Sequence, residues 1–391
     1  MATTIAMLVS AVLAPLLGAL ADVTAAKKRF LATFLVLGVL CTGAMFWIER
    51  GDWLFALLVF GAANICISSS FVFYDSLLPT IAKPDELDRV STAGYALGYV
   101  GGGLLLALNL AWITKPEWFG LPSGEGLTPE QKTLPARLAF FSVAVWWLVF
   151  ALPLLLRVPE PPRQREADER AGDNPLLVAV TRLRETFGEL KRYRDAFLLL
   201  IAFLAFNDGI GTIIRMAAIY GEEIGLKQNS MIAAILIVQF VGIPFAFLFG
   251  ALAGRIGAKR SILIGLAVYL GICVLAWRMS TTAEFFALAV LVAAVQGGCQ
   301  SLSRSLFASM VPRHKSGEFF GLFAVLERFA GVLGPAAFFF ATRATGSSRA
   351  AIISLVLFFL VGGVLLLRVD VAEGQRAARE ADEGLEMAEG G

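Results

Sequence analysis

Eleven stretches of the chain are almost free of charge: 3–21, 31–48, 54–79, 92–113, 137–156, 196–220, 230–252, 261–277, 284–310, 318–342 and 350–367. Most reach or approach the ~20 apolar residues that a ~30 Å hydrocarbon core requires. A transmembrane β-barrel would instead show ~10-residue alternating segments, and the pattern has none. The expected fold class is therefore all-α, a polytopic membrane protein of eleven spans. One further segment has a different pattern. Leu176, Val180, Leu183, Phe187 and Leu190 recur at spacings of four, three, four and three. That periodicity predicts an amphipathic helix lying along the membrane surface or under the bundle.

Composition agrees with this layout. Of 391 residues 58% are hydrophobic and only 16% charged, with a mean hydropathy of +0.74, too few charges to cover a soluble surface. The net charge of +2 gives no argument for nucleic acid, so the distribution of charge matters more. Taken by alternate loops, 22 Lys and Arg fall on one side and 8 on the other, with Arg215, Arg304 and Arg328 inside spans. The positive-inside rule makes the richer side cytoplasmic, which puts Met1 outside and the C-terminus in the cytoplasm. The longest loop, 157–194, divides five spans from six. The expected organisation is an N-terminal transmembrane half (1–156), a cytoplasmic linker (157–194), a C-terminal transmembrane half (195–368) and a disordered cytoplasmic tail (369–391). The linker opens on "RVPEPPRQREADERAGD", proline-rich and charged, which reads as flexible. Cys41, Cys66, Cys273 and Cys299 lie in spans without paired or metal-like spacing and read as core residues. No charged n-region or separate cleavage site precedes the first span.

Two short strings repeat. "GALADVTAAKKR" occupies 18–29 and "GALAGRIGAKR" occupies 250–260. Aligning Gly18 with Gly250 maps Met1 onto Ala233, so one helix and one loop of the second half have no counterpart in the first. Two parallel six-helix repeats split by a long cytoplasmic loop resemble the major facilitator architecture, with only five helices in the first repeat. The paired strings look like that superfamily's loop motif between helices 2–3 and 8–9, which clips the halves together on the cytoplasmic side. Val23 stands where a basic residue is usual and Gly254 where the second copy usually has an acid. "FYDSLLPTIAKPDELDRVSTAGYALGYVGGG" (73–103), "FNDGIGTIIRMAAIYGEEIG" (206–225), "GGCQSLSRSLFASMVP" (297–312) and "KSGEFFGLFAVLERFAGVLGPAAF" (315–338) resemble the branch related to the vacuolar effluxers of autophagy. The resemblance implies amino-acid export, here in a bacterial inner-membrane relative, and a family first helix missing before Ala2.

Ionisable side chains inside a bilayer are costly and usually face a partner or a watered cavity. Asp208 lies halfway along its span in "FNDGIG", with Arg215 two turns on along the same face. They either pair with each other or a neighbouring helix, or serve a proton or a substrate amine. Glu327 and Arg328 lie near the midplane of the span 318–342 and point about 100° apart, so each needs another partner. Asn64, Gln296 and Gln300, with Asn207 and Gln239, are mid-depth polar positions that either glue helices or contact a ligand. Asp75 and Arg304 lie toward the cytoplasmic ends of their spans. With Asp22, Lys27, Lys28 and Arg255 they form an expected cytoplasmic gate, Asp75 answering the basic residues of the first motif, or else Asp75 and Arg304 contact substrate. His314, the single histidine, is expected in a solvated loop, which excludes a proton relay through histidine.

These positions exclude more than they specify. No nucleotide-binding "GxxxxGK[ST]", Ser-His-Asp set, HExxH or metal cluster occurs, so ATP-driven transport and enzymatic activity are unsupported, and no cofactor or metal is expected. The leading reading is secondary active transport of a small solute by alternating access, with protons as coupling ion and carboxylates at Asp208 or Glu327 carrying them. The resemblance implies an amino acid or similar zwitterion as solute, with efflux favoured, and fixed charges of both signs suit a zwitterion. A proton-coupled drug or metabolite exporter stays open, since 31 Phe provide aromatic walls. So does a non-transporting membrane scaffold or sensor.

Overall fold

Sixteen α-helices make up most of the computed structural model, which describes residues 2–162, 174–189, 192–223, 225–329, 331, 333–346 and 348–390. In chain order they are α1 (Ala2–Thr24), α2 (Lys27–Ala44), α3 (Trp53–Ser76), α4 (Leu78–Ile81), α5 (Leu87–Thr114), α6 (Pro129–Arg157), α7 (Pro175–Gly188) and α8 (Arg194–Glu223). There follow α9 (Gln228–Ile256), α10 (Ala258–Arg278), α11 (Thr282–Ala308), α12 (Ser316–Phe329), α13 (Leu333–Thr345), α14 (Ser348–Ser354), α15 (Val356–Arg368) and α16 (Val371–Gly390). Local chemistry sets several of these ends. Thr128 with Gln131 and Thr281 with Glu284 form capping boxes at the starts of α6 and α11. Gly257, at φ 87°, ends α9 in a conformation that few residues other than glycine adopt.

Among the described residues nine helices are long and apolar enough to cross a membrane. One of the eleven expected spans differs. The first apolar run, 3–21, lies within the 23-residue helix α1 as expected. The run 318–342 is not one helix: α12 ends at Phe329 and α13 resumes at Leu333. The sequence there, "FAGVLGP", puts two glycines and a proline within a few residues, which weakens a continuous helix. Large apolar side chains such as Leu40, Leu58, Phe150 and Leu156 are exposed along the outer faces, as a lipid-facing surface requires.

Close helix approach rests on small residues. In α1, α2, α3, α5 and α6 the principal packing is α1 on α3, α2 on α3 and on α6, and α5 on α6. In the later group α8 packs on α15 and α9 on α11, while α10 packs on α11 and α15. The two groups meet through α1 and α3 against α12, and α5 against α9 and α11. A Cβ added at Gly298 would fall 2.1 Å from the Phe249 ring, and one at Gly297 2.6 Å from the Tyr99 ring. Lipid supplies little hydrophobic drive between helices, so this kind of fit has to hold them together.

Two expectations outside the spans are corrected. The tail 369–391, read as disordered, contains α16, a helix laid back against the bundle. Gly374, Ala378 and Leu385 are buried along it and Val369 just before it, Gly374 lies against Met310, and the Gln375 amide donates to the Ser309 hydroxyl at 3.1 Å. A mixed Glu, Ala, Gly and Arg composition concealed this buried stripe. His314 is not solvated either: its side chain is almost fully covered and its Nδ1 lies 3.0 Å from the Asp382 carboxylate of α16.

α7 lies against the bundle, but not by the apolar stripe that its periodicity predicted. Ala179 is buried against Ala19 and Val23 of α1, and Arg182 and Thr186 are buried on the same side. Leu176, Leu177 and Val180 point outward and are exposed. The flexible-linker reading of 157–173 falls mostly on 163–173, and it lies outside the described residues together with Leu190 and the Phe187 side chain.

Candidate functional site

Two polar clusters lie within the bundle. The first closes the end that carries the two basic turns. Asp22 and Lys27 pair at 2.7 Å, both nearly fully buried, and the pair reaches across to α12. The Lys27 ammonium donates to the Ser316 hydroxyl at 2.6 Å, and the Glu318 backbone N–H donates to the Asp22 carboxylate at 2.9 Å. Asp22 thus sits on the N-terminus of α12, where unpaired N–H groups and the helix dipole both favour an anion. Beneath it the helices touch. A Cβ at Gly18 would fall 2.0 Å from the Gly317 carbonyl oxygen, and one at Gly321 2.7 Å from the Ala14 carbonyl oxygen. Glu318 is itself fully buried and accepts from the Thr186 hydroxyl of α7 at 2.7 Å. Lys315 lies 3.5 Å from Glu189. Just outside the spans, burial raises the Tyr193 phenol above its ordinary value, while Arg192 and Lys315 pull the other way. It therefore stays neutral and packs edge-on against Phe319, with ring centroids 5.1 Å apart.

A second lock stands beside the first. Arg304 donates to Asp75 at 2.8 Å and to the Ser91 hydroxyl at 3.0 Å, bridging α11 to α3 and α5. Its guanidinium also lies over the Tyr95 ring, 5.0 Å from the centroid. Ser91 donates to the Ser301 carbonyl at 2.7 Å, and Ser305 donates to Asp88 at 2.5 Å. Asp75 therefore answers Arg304 rather than the basic residues of the first motif. Lys28 turns away from this contact: its N–H donates to Glu160 at 2.9 Å and its ammonium to the Val158 carbonyl, tying α2 to the end of α6. Arg255 is exposed on α9 and makes no hydrogen bond or ion pair among the described residues.

The second cluster lies deeper, where α8 meets the interruption between α12 and α13. Asp208 is fully buried. It does not bond to Arg215. Its carboxylate accepts the Gly334 N–H at 2.7 Å, and the Leu333 N–H is directed at it too. Arg215 is exposed and donates to the Gly331 carbonyl at 2.8 Å. Asn207, one residue earlier, accepts from the Gln300 amide at 3.2 Å. Glu327 is exposed on α12 and within electrostatic reach of Tyr95; the Arg328 side chain lies outside the described residues. Asn64 stays apart, its amide donating to the Phe60 carbonyl of its own helix at 2.8 Å. Gln296 and Gln239 line a cavity of about 310 Å³ among α8, α9, α10 and α11, walled mainly by residues such as Ile213, Met216, Met231 and Leu288.

Sequence reasoning passed over Ser91, Asp88, Ser316 and Glu318. Glu318 carried a readable signal, an acid in the first turn of a helix that follows a basic loop. Serines within spans carry none, since the same residue bonds its own backbone as readily as a partner. Among the described residues no group of His, Cys, Asp and Glu is arranged to hold a metal.

A family description, "Vacuole effluxer Atg22 like", matches residues 1–379. The chain belongs to the Atg22-like family. Within it, the chain is 34% identical over 356 residues to the uncharacterized MFS-type transporter YxiO of Bacillus subtilis, covering 91% of this chain and 80% of that protein. It is 23% identical over 443 residues to autophagy-related protein 22 of Coccidioides immitis, covering 98% and 74%. Among solved structures, the major facilitator transporter FucP in its outward conformation superposes with a TM-score of 0.71 at 13% identity, covering 94% of this chain and 89% of that one. The proton:xylose symporter XylE gives 0.70 at 13% identity, covering 96% and 88%. This Atg22-like protein is thus a multi-pass integral membrane transporter with the major facilitator fold, and not an enzyme.

Proposed function

We propose that this Atg22-like protein moves a small solute, an amino acid or similar zwitterion, out of the cytoplasm by proton-coupled alternating access. The observation that carries this reading is Asp208. A fully buried carboxylate halfway along a spanning helix, held by backbone N–H groups across a helix interruption, is an expensive arrangement to maintain without a use. Arg215, exposed two turns away, gives the same face a fixed positive charge, so a zwitterion meets both signs. The direction follows the family's description as an effluxer. The end closed by Asp22, Lys27, Asp75 and Arg304 is read as cytoplasmic because the basic turns and linker gather there, which makes this an outward-facing arrangement in a bacterial inner membrane. Purified protein in liposomes loaded with labelled amino acids should release them faster when a proton gradient is imposed, and Asp208→Asn should remove the gradient's effect. Gradient-driven release that survives both Asp208→Asn and Glu327→Gln would remove these carboxylates from the coupling.

One observation favours a second reading, export of a lipophilic compound. The 310 Å³ cavity is walled almost entirely by aliphatic and sulfur side chains, with only the Gln239 and Gln296 amides and the Tyr220 hydroxyl to anchor a polar end. Competition separates the two. Apolar cations that block amino-acid release only in variants with an intact cavity would favour it, and indifference to them would favour the zwitterion.

A further inference from the structure

An interruption in a membrane helix leaves two sets of backbone groups unpaired. The segment that resumes exposes N–H groups and a partial positive charge; the segment that stops exposes carbonyls and a partial negative charge. Lipid cannot satisfy either, so protein must. Here one neighbouring helix supplies both partners. From α8, Asp208 accepts the Gly334 N–H at the start of α13, and Arg215 donates to the Gly331 carbonyl beyond the end of α12. The signs match: acid on the positive end, base on the negative end.

The fit around Asp208 is close. A Cβ at Gly334 would fall 2.0 Å from the Thr212 hydroxyl oxygen and 3.0 Å from both the backbone carbonyl oxygen and Oδ1 of Asp208. The Thr212 hydroxyl donates to that same Asp208 carbonyl at 2.7 Å, which fixes it in place. Asp208 Oδ2 takes the Gly334 N–H, while Oδ1, buried and directed at the same turn, has no hydrogen-bond partner among the described residues. The only charged group in electrostatic reach of Asp208 among the described residues is Arg215.

We propose that Asp208 and Arg215 form a two-point clamp holding α13 and the end of α12 to α8, and that release of the Gly334 N–H from Asp208 frees α13 to move during the transport cycle. The proposal rests on the alternating-access reading; it adds a positional role to the coupling role of Asp208 and the fixed charge of Arg215, and makes Thr212 and Gly334 positioning residues. It also explains why an acid and a base stand two turns apart on α8 without bonding to each other. Each is occupied by a backbone end of the interruption.

Hydrogen–deuterium exchange of the protein in lipid nanodiscs tests the clamp directly. The first N–H groups of α13 have no intrahelical acceptor, so their protection depends on Asp208. Asp208→Leu should speed exchange across 333–336 by about tenfold or more, the loss of a charge-assisted hydrogen bond. Asp208→Asn keeps an acceptor in place and should retain most of the protection, while losing the response to a proton gradient. Arg215→Gln should leave 333–336 protected and slow transport. Gly334→Ala should slow transport by pushing α13 off Thr212, and Thr212→Ala added to it should restore a measurable part. Unchanged exchange in Asp208→Leu overturns the clamp, even if transport is lost; Asp208 would then act only as a proton carrier. Faster exchange with unaltered transport also overturns it. If Asp208→Leu does not fold, failure of Thr212→Ala to rescue Gly334→Ala refutes the steric part by itself. A wild-type protein that moves no solute refutes the transport reading, while the exchange result still decides the clamp.

Discussion

Replacing Gly317 with alanine puts the closed end of the bundle under a defined load. The new Cβ would stand 2.4 Å from the Gly18 carbonyl oxygen and 2.8 Å from the Asp22 carboxylate, where 3.4 Å is ordinary contact. Gly18 is a helical backbone and cannot turn aside, so α1 and α12 must separate by about 1 Å, the difference between 3.4 and 2.4. A shift of that size stretches the Lys27–Ser316 bond from 2.6 Å and the Glu318–Asp22 bond from 2.9 Å, both out of hydrogen-bonding range. Each involves an ionised group in a dry site, so losing both costs the closed state about 3–6 kcal/mol. A tilt that opens only part of the gap sets a lower bound, the ~1–3 kcal/mol typical of overpacking. The closed population should therefore fall at least about fivefold relative to the open one. Nitroxide labels at exposed Arg29 and Arg255, on a background without the native cysteines, read the separation of that end by pulsed electron resonance. Gly317→Ala should add a longer-distance population. A folded variant whose distance distribution matches the wild type would refute the reasoning, because the helices would then have absorbed the methyl group without parting.

Three other outcomes follow from the same geometry. Arg304→Gln strands the largely covered Asp75 carboxylate and should lower stability by about 3 kcal/mol, read by thermal unfolding in detergent, and Asp75→Asn added to it should recover most of the loss. Deleting 371–391 uncovers Met310 and His314 and should speed limited proteolysis between 309 and 318, while Asp382→Asn alone should do so more weakly. Serine at Leu176, Leu177 or Val180 should change stability in detergent by no more than about 0.5 kcal/mol, because these side chains face away from the bundle. A larger loss would mean that α7 packs by its apolar stripe.

What the sequence made legible follows from how strongly the bilayer constrains a chain. Long uncharged runs, a loop bias in Lys and Arg and a repeated glycine motif are global patterns, and the helical membrane fold could be read from them, while the family rested on resemblance of longer strings such as 73–103 and 315–338. Partner choice is local. Asp75 pairs with Arg304 across α3 and α11, a contact between residues 229 positions apart that no spacing rule anticipates. Asp208 and Arg215 stood out because charges are rare in spans, but their partners are backbone groups of Gly334 and Gly331, which carry no side-chain signal. The interruption itself was written in "FAGVLGP", yet glycine and proline are also common in unbroken membrane helices. For α16, Ala378 and Leu385 are too sparse among charged neighbours to outweigh a disordered-looking composition.

The most direct test of the central claim is amino-acid flux in liposomes of known orientation, measured with and without an imposed proton gradient. The account predicts gradient-dependent flux of a labelled amino acid in the wild type, and flux that no longer responds to the gradient in Asp208→Asn. Gradient-dependent flux of equal size in Asp208→Asn, or no amino-acid flux in the wild type, would contradict it.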